Sequence, residues 1–146
     1  MKRTALPLAL TFAIGLVFGV VGSQLLNAQQ APVKRTALVQ AELEGVAGKE
    51  VIQYIGEIAP GASSGKHYHP GPEVAFVLQG SGTLELEGQP PKHLKAGDTT
   101  GYIPARHIHE AKNASATEPL KFLVVLIGEK GQPLATSVTP AYFWKQ

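Results

Sequence analysis

The stretch Gly61-Ala-Ser-Ser-Gly-Lys-His67-Tyr-His69-Pro-Gly-Pro-Glu73-Val-Ala-Phe-Val-Leu-Gln-Gly80 decides how this chain is read. It joins two imidazoles and a carboxylate to an apolar run, with glycines at both ends. In extended backbone, residues two apart share a face, so His67 and His69 project to one side, roughly 7 Å apart along the chain. Pro70-Gly71-Pro72 then turns the backbone, and Glu73–Gln79 reads as a strand closed by Gly80. With Glu73 facing inward, Ala75 and Val77 face inward too and form a small-residue floor. Val74, Phe76 and Leu78 then fall on the other face, where they are expected to pack.

Working outward, the same alternation of short strands and breakers continues. Val51–Ile58 is a strand ended by Pro60-Gly61. Thr83–Glu87 alternates with period two and closes at Gly88 and Pro90-Pro91. Lys92–Lys95 is short and ends at Gly97-Asp98. Thr99–Ile103 leads into Pro104, His107–Lys112 is a further candidate, and Leu120–Ile127 is the strongest apolar run. Seven or eight short strands separated by Gly, Pro, Asn and Asp turns predict an all-β antiparallel sandwich or small barrel. No helical periodicity follows residue 30, and no long repeat suggests a second barrel. The expected divisions are residues 1–28 as signal or anchor, 29–49 as linker and extended arm, 50–128 as barrel, and 129–146 as an aromatic tail containing Tyr142, Phe143 and Trp144.

The N-terminus reads separately. Lys2 and Arg3 precede an apolar run from Ala5 to Val21 and then small polar residues up to Ala28, the order of a secretory signal peptide. Leu26 departs from the small-residue cleavage rule, and residues 5–26 are long enough to span a bilayer, so an uncleaved anchor is the alternative. Either reading exports the domain, to a periplasmic or extracellular location. The chain has 146 residues, with 13 Lys+Arg against 11 Asp+Glu. Loss of Lys2 and Arg3 would leave the domain near neutrality. No basic cluster is present, which argues against nucleic acid as a partner. The absence of cysteine excludes disulfides, thiolate metal sites and cysteine nucleophiles. Any metal must be held by imidazole and carboxylate.

A second segment, Gly97-Asp98 through Tyr102, Pro104, Arg106, His107 and His109 to Asn113, completes the candidate site. His107 and His109 would share one face of an extended strand, so both are candidates for a third imidazole. Tyr54, Tyr102 and Arg106 are the aromatic and charged groups best able to reach a ligand, and His107 is the remaining pocket candidate. Tyr68 alternates away from the histidine pair, and His93 reads as surface. Ser63 and Ser64 lack the elbow and acid partner that a nucleophile needs.

At Gly61–Gly80 the chain resembles the cupin signature Gly-x5-His-x-His-x3-Glu-x6-Gly at every fixed position. The Gly97–Asn113 segment resembles the partner cupin motif, with two departures: one extra residue before Pro104, and Arg106 where a glycine is usual. Arg106 would mean a less tight turn or a cation near the site mouth. The resemblance covers roughly residues 50–128. It implies a single jelly-roll barrel of two antiparallel sheets, and one divalent transition metal held by His67, His69, Glu73 and His109. Such a set leaves two octahedral positions open and suits Mn, Fe, Ni, Co, Cu or Zn. Glu73 could instead orient a histidine as an acceptor, or serve as a base. The implied function is a small metalloenzyme with oxygenase, isomerase or lyase chemistry on a small molecule. The alternatives are a non-catalytic binding or sensing module in which the metal anchors an anionic ligand, and a purely structural module. Similar proteins pair as homodimers, and the aromatic tail could lie across a second copy.

Overall fold

The computed structural model describes residues 33–138, and both the expected signal segment at 1–28 and the aromatic tail at Tyr142, Phe143 and Trp144 lie outside them. Ten strands run through the described residues: β1 (Val33–Glu42), β2 (Lys49–Ile58), β3 (His67–Tyr68), β4 (Glu73–Gln79), β5 (Ser81–Leu86), β6 (Lys92–Lys95), β7 (Thr99–Ile103), β8 (His109–Asn113), β9 (Leu120–Glu129) and β10 (Thr136–Ser137). They form two five-stranded sheets, ordered β1-β2-β9-β4-β7 and β10-β3-β8-β5-β6. The pairings are antiparallel, as in a single jelly-roll barrel.

Alternation along β9 shows how the sequence builds the core. Leu120, Phe122, Val124 and Leu126 are buried, whereas Lys121, Leu123, Val125 and Ile127 lie on the outer face and are only partly buried. In register with them, β4 turns Glu73, Ala75 and Val77 inward, opposite Leu126, Val124 and Phe122. From the other sheet, Leu84 and Leu94 meet this face, and Val77, Leu120 and Leu126 are the most deeply buried of the set. Truncating any of these three to alanine would cost about 2–4 kcal/mol through lost burial and a residual cavity.

The outer face of β4 corrects one expectation. Val74, Phe76 and Leu78 do not pack: each is 43–44% exposed, because no layer covers this side of the sheet among the described residues. Tyr102 on β7, opposite Val74, is 68% exposed. The strand-rich interior lies wholly between the two sheets, so only the Glu73 side of β4 is walled in.

Other differences lie at element ends. The segment expected as an extended arm is β1, an edge strand paired with β2 from Val33↔Ile58 to Glu42↔Glu50 with a bulge between Ala37 and Val39. β8 begins at His109, two residues later than the hydrophobic pattern suggests. β10 pairs Thr136 and Ser137 with Tyr68 and His67, and its two polar residues carry no strand pattern of their own.

Candidate metal centre

The site is assembled where the two sheets face each other. β3 has only two residues, yet its pairing places His67 directly opposite His109 on β8. The Gly61–Gly65 loop fixes the approach to β3. The Ser64 amide donates to the Ala111 carbonyl at 2.8 Å, the Ala111 amide donates back to Ser64 Oγ at 2.9 Å, and the Asn113 amide donates to the Ala62 carbonyl at 2.9 Å. The Ser64 hydroxyl is thus a structural acceptor. His69 lies just beyond β3, where its carbonyl accepts the Arg106 amide at 2.9 Å. The Pro70-Gly71-Pro72 turn then crosses to β4 and delivers Glu73.

That crossing requires glycine at position 71. A Cβ there would stand 1.6 Å from the Ile127 carbonyl oxygen, against which the turn is packed. The adjoining Ile127 amide donates to the Pro72 carbonyl at 3.0 Å and clamps the turn to β9.

The rings of His67, His69 and His109 converge with centroids 4.4–5.2 Å apart. One nitrogen from each lies within 4.8 Å of the others. Each ring uses its Nδ1–H on a backbone carbonyl: His67 on Gly65 at 2.8 Å, His69 on Leu134 at 2.6 Å, and His109 on His107 at 2.9 Å. These bonds fix the tautomer and leave Nε2 as the free ligand atom of each ring, the arrangement expected of metal-binding imidazoles.

Glu73 closes the group from the opposite sheet. Oε2 lies 2.8 Å from His69 Nε2, and Oε1 lies 3.7 Å from His109 Nε2. With its proton on Nδ1, His69 has none on Nε2 to donate, so Oε2 is a buried oxygen without a hydrogen-bond partner. Such an atom is costly in a protein interior. A cation among the Nε2 atoms and the carboxylate would satisfy it, so the donor set fits a divalent metal.

The electrostatics agree. Burial pushes His67 down to about 4 and also lowers His109, keeping both neutral and able to ligate. Burial opposes charge on His69 as well, but the Glu73 carboxylate outweighs it and raises the ring. Burial opposes charge on Glu73, and the His69 contact with the neighbouring imidazoles overcomes that to hold its carboxyl below the usual range.

Asn113 anchors the far end of β8. Its Nδ2 faces the carbonyls of Ile58, Ala59 and Glu118 at 2.8–3.1 Å, and its Oδ1 accepts the Ser115 amide. It holds the loop beside the site and does not enter it. The three pocket candidates lie elsewhere. His107 directs Nε2 to the Glu87 carbonyl at 3.0 Å, Tyr102 projects from the outer face, and Arg106 sits in the turn after Pro104. None of the three lines the chamber at the imidazoles. Arg106 has φ 61°, so the turn keeps a left-handed conformation with arginine in it and is not relaxed by the substitution.

The chamber itself measures roughly 60 Å³. Beyond the ligand set its wall is mainly apolar, including Ala75, Phe122 and Val124, with Tyr54 and Arg35 on the β1–β2 side. Tyr54 was legible as a candidate. Arg35 was not, since it sits on an edge strand 32 residues before the first histidine and belongs to no motif. Only the β1–β2 register brings it to the site.

Residues 54–126 match the family described as cupin domain. Among curated proteins, the chain is 28% identical to auxin-binding protein T85 of Nicotiana tabacum over 68% of its own length and 57% of that protein. It is 35% identical to auxin-binding protein 1 of Arabidopsis thaliana over 53% of its length and 42% of that protein. The chain thus spans about half the length of the curated relatives it matches. Among solved structures, a cupin-like protein from Thermotoga maritima aligns with TM-score 0.54 and 28% identity, covering 73% of this chain and 75% of that one. A cupin superfamily protein from Desulfitobacterium hafniense gives TM-score 0.55 at 21% identity, covering 88% and 94%. DMSP lyase DddQ from Ruegeria pomeroyi gives TM-score 0.60 at 24% identity, covering 75% and 53%, and at that identity it speaks for the fold alone.

Proposed function

The chain belongs to the cupin domain family, and from that premise we propose that it is an exported metalloprotein whose His67, His69, His109 and Glu73 hold one divalent metal for chemistry on a small molecule. The observation that carries this reading is the trio of Nδ1–H bonds to backbone carbonyls, which turns three buried Nε2 atoms onto one carboxylate with an unpartnered oxygen. When bound, such a metal supplies Lewis-acid or oxygen-activating chemistry, suited to lyase, isomerase or oxygenase reactions. The chain's own residues exclude bulk water, keep the His67 and His109 ligand nitrogens unprotonated, and offer a protonated Tyr54 hydroxyl to the ligand, since burial and Glu73 both push that phenol up. Metal analysis of purified protein, followed by single-metal reconstitution and a turnover screen on small carboxylic and keto compounds, tests it. About one metal per chain together with turnover supports the enzyme. A protein that takes up no metal at neutral pH defeats the reading.

One observation favours the second reading, a binding or sensing module. Apart from the four ligands, Arg35 and Tyr54 are the only titratable groups on the chamber wall among the described residues, and neither is an evident base. Saturable thermal stabilisation by a small anion without product would select that reading.

Export rests on residues 1–28, whether cleaved as a signal or retained as an anchor, and intact mass of the native protein separates the two. We also assign a homodimer, supported by the apolar strip of Val74, Phe76, Leu78 and Tyr102. Phe76→Glu should give a monomer by light scattering, and truncation after Pro140 shows whether the aromatic tail contributes.

A further inference from the structure

Two cavities meet at one pair of residues. The inner chamber holds the imidazoles, and a second cavity of roughly 230 Å³ opens between β1, β2 and the Gln132–Leu134 segment. Arg35 and Tyr54 line both. The register explains their meeting. Ala37 lies opposite Tyr54 and Arg35 opposite Gly56, so the arginine shares the inward face, and the missing side chain at position 56 leaves it room above the phenol ring. Arg35 and Tyr54 therefore face the same space on the wall shared by the two cavities.

Arg35 forms no ion pair among the described residues. The carboxylate on the wall of the outer cavity, Glu50, accepts a hydrogen bond from Gln40 Nε2 at 2.8 Å instead. An arginine at the junction of two cavities, unpaired and beside a phenol donor, presents fork geometry to an incoming carboxylate.

We infer that Arg35 and Tyr54 form a carboxylate-recognition pair between the outer cavity and the metal chamber, and that the ligand is a small organic acid. Its size follows from the inner volume, which accommodates about four to six heavy atoms at 10–15 Å³ each. The wall beyond the pair, with Ala75, Phe122 and Val124, suits a short apolar body, and its two hydroxyls, Ser64 and Thr100, are engaged by the Ala111 and Ala75 main chain. The acid enters past the pair, is held there by its carboxylate, and places its other end toward the imidazoles.

This rests on the metal-chamber reading above, so the test measures metal and ligand separately. Full-length protein loaded with one metal is titrated with acetate, propanoate and propanamide, and binding is followed by calorimetry and thermal shift. Because a metal alone would also prefer carboxylates, the decisive comparison is between wild type, Arg35→Gln, Arg35→Lys and Tyr54→Phe at equal metal content. Propanoate affinity is expected to fall roughly tenfold or more in Arg35→Gln, less in Arg35→Lys and severalfold in Tyr54→Phe, with metal stoichiometry unchanged. Equal propanoate affinity in wild type and Arg35→Gln overturns the assignment, as does equal binding of propanoate and propanamide, or no binding of either, by metal-loaded wild type. Failure of the wild type to take up metal defeats the metal reading instead.

Discussion

The two walls of the chamber are built by different rules. On the imidazole wall every ring is tied to main chain: Gly65, Leu134 and His107 carbonyls fix His67, His69 and His109. On the entrance wall, Arg35 and Tyr54 hang from β1 and β2 and line the two cavities with their side chains, with β1 an exposed edge strand. Backbone ties hold their positions as long as the fold survives, whereas Arg35, on the edge strand, can be replaced at little cost to stability beside a Tyr54 that belongs to the buried core. The imidazole half is thus fixed by the fold, and at the entrance it is the Arg35 position that is free to change with the ligand.

The strongest way to break this contrast is to remove the fixed wall. His67→Ala combined with His109→Ala should lower metal affinity by about 1,000-fold or more, read by metal content after dialysis, with far-UV circular dichroism retained. The same loss from substitutions on the entrance wall would erase the distinction. Acid is next in size. His67 in the metal-free protein titrates near 4, below its unfolded value, so the unfolded chain binds more protons between those values. The stability this group contributes is complete above about pH 6.5 and is lost as pH falls toward 4, about 3 kcal/mol for this residue. His109 acts in the same direction, while His69, raised by Glu73, partly opposes both. Denaturant titration across that range should show falling stability, and His67→Ala should flatten the slope.

A smaller effect tests the turn that joins the walls. Gly71→Ala forces a carbon onto the Ile127 carbonyl and should cost about 2 kcal/mol while also weakening metal binding, because the same turn positions His69 and Glu73. The smallest change should be favourable. Arg106→Gly relieves a left-handed residue and is expected to stabilise by up to about 1 kcal/mol, with metal content unaltered.

The contrast also accounts for what the sequence disclosed. The metal side was legible because its residues are crowded into two short segments whose spacing follows from strand and turn geometry: His67, His69 and Glu73, then His109. The strands at Glu73–Gln79 and Thr99–Ile103 could be read to the residue because Pro and Gly punctuate them. The choice between His107 and His109 was open to periodicity, since both share a face on paper; the strand starts at His109 and leaves His107 bound to the Glu87 carbonyl. Arg35 was invisible because register across a sheet edge leaves no local pattern. The outer face of β4 was misread for a related reason. Alternation reports that two faces differ, and it does not report whether a second layer covers the more apolar one.

The bond from His69 to the Leu134 carbonyl has a consequence in time. Synthesis runs from the N-terminus, so His67, His69, Glu73 and His109 all emerge before the segment that holds His69 in place. The last described strand, β10, then pairs with β3, the two being equally short, and the Val138 amide closes onto the Lys66 carbonyl at 2.8 Å. A nascent chain therefore carries His69 unaligned until Leu134 has been made, and metal loading becomes a late event of maturation, after β10 has paired with β3.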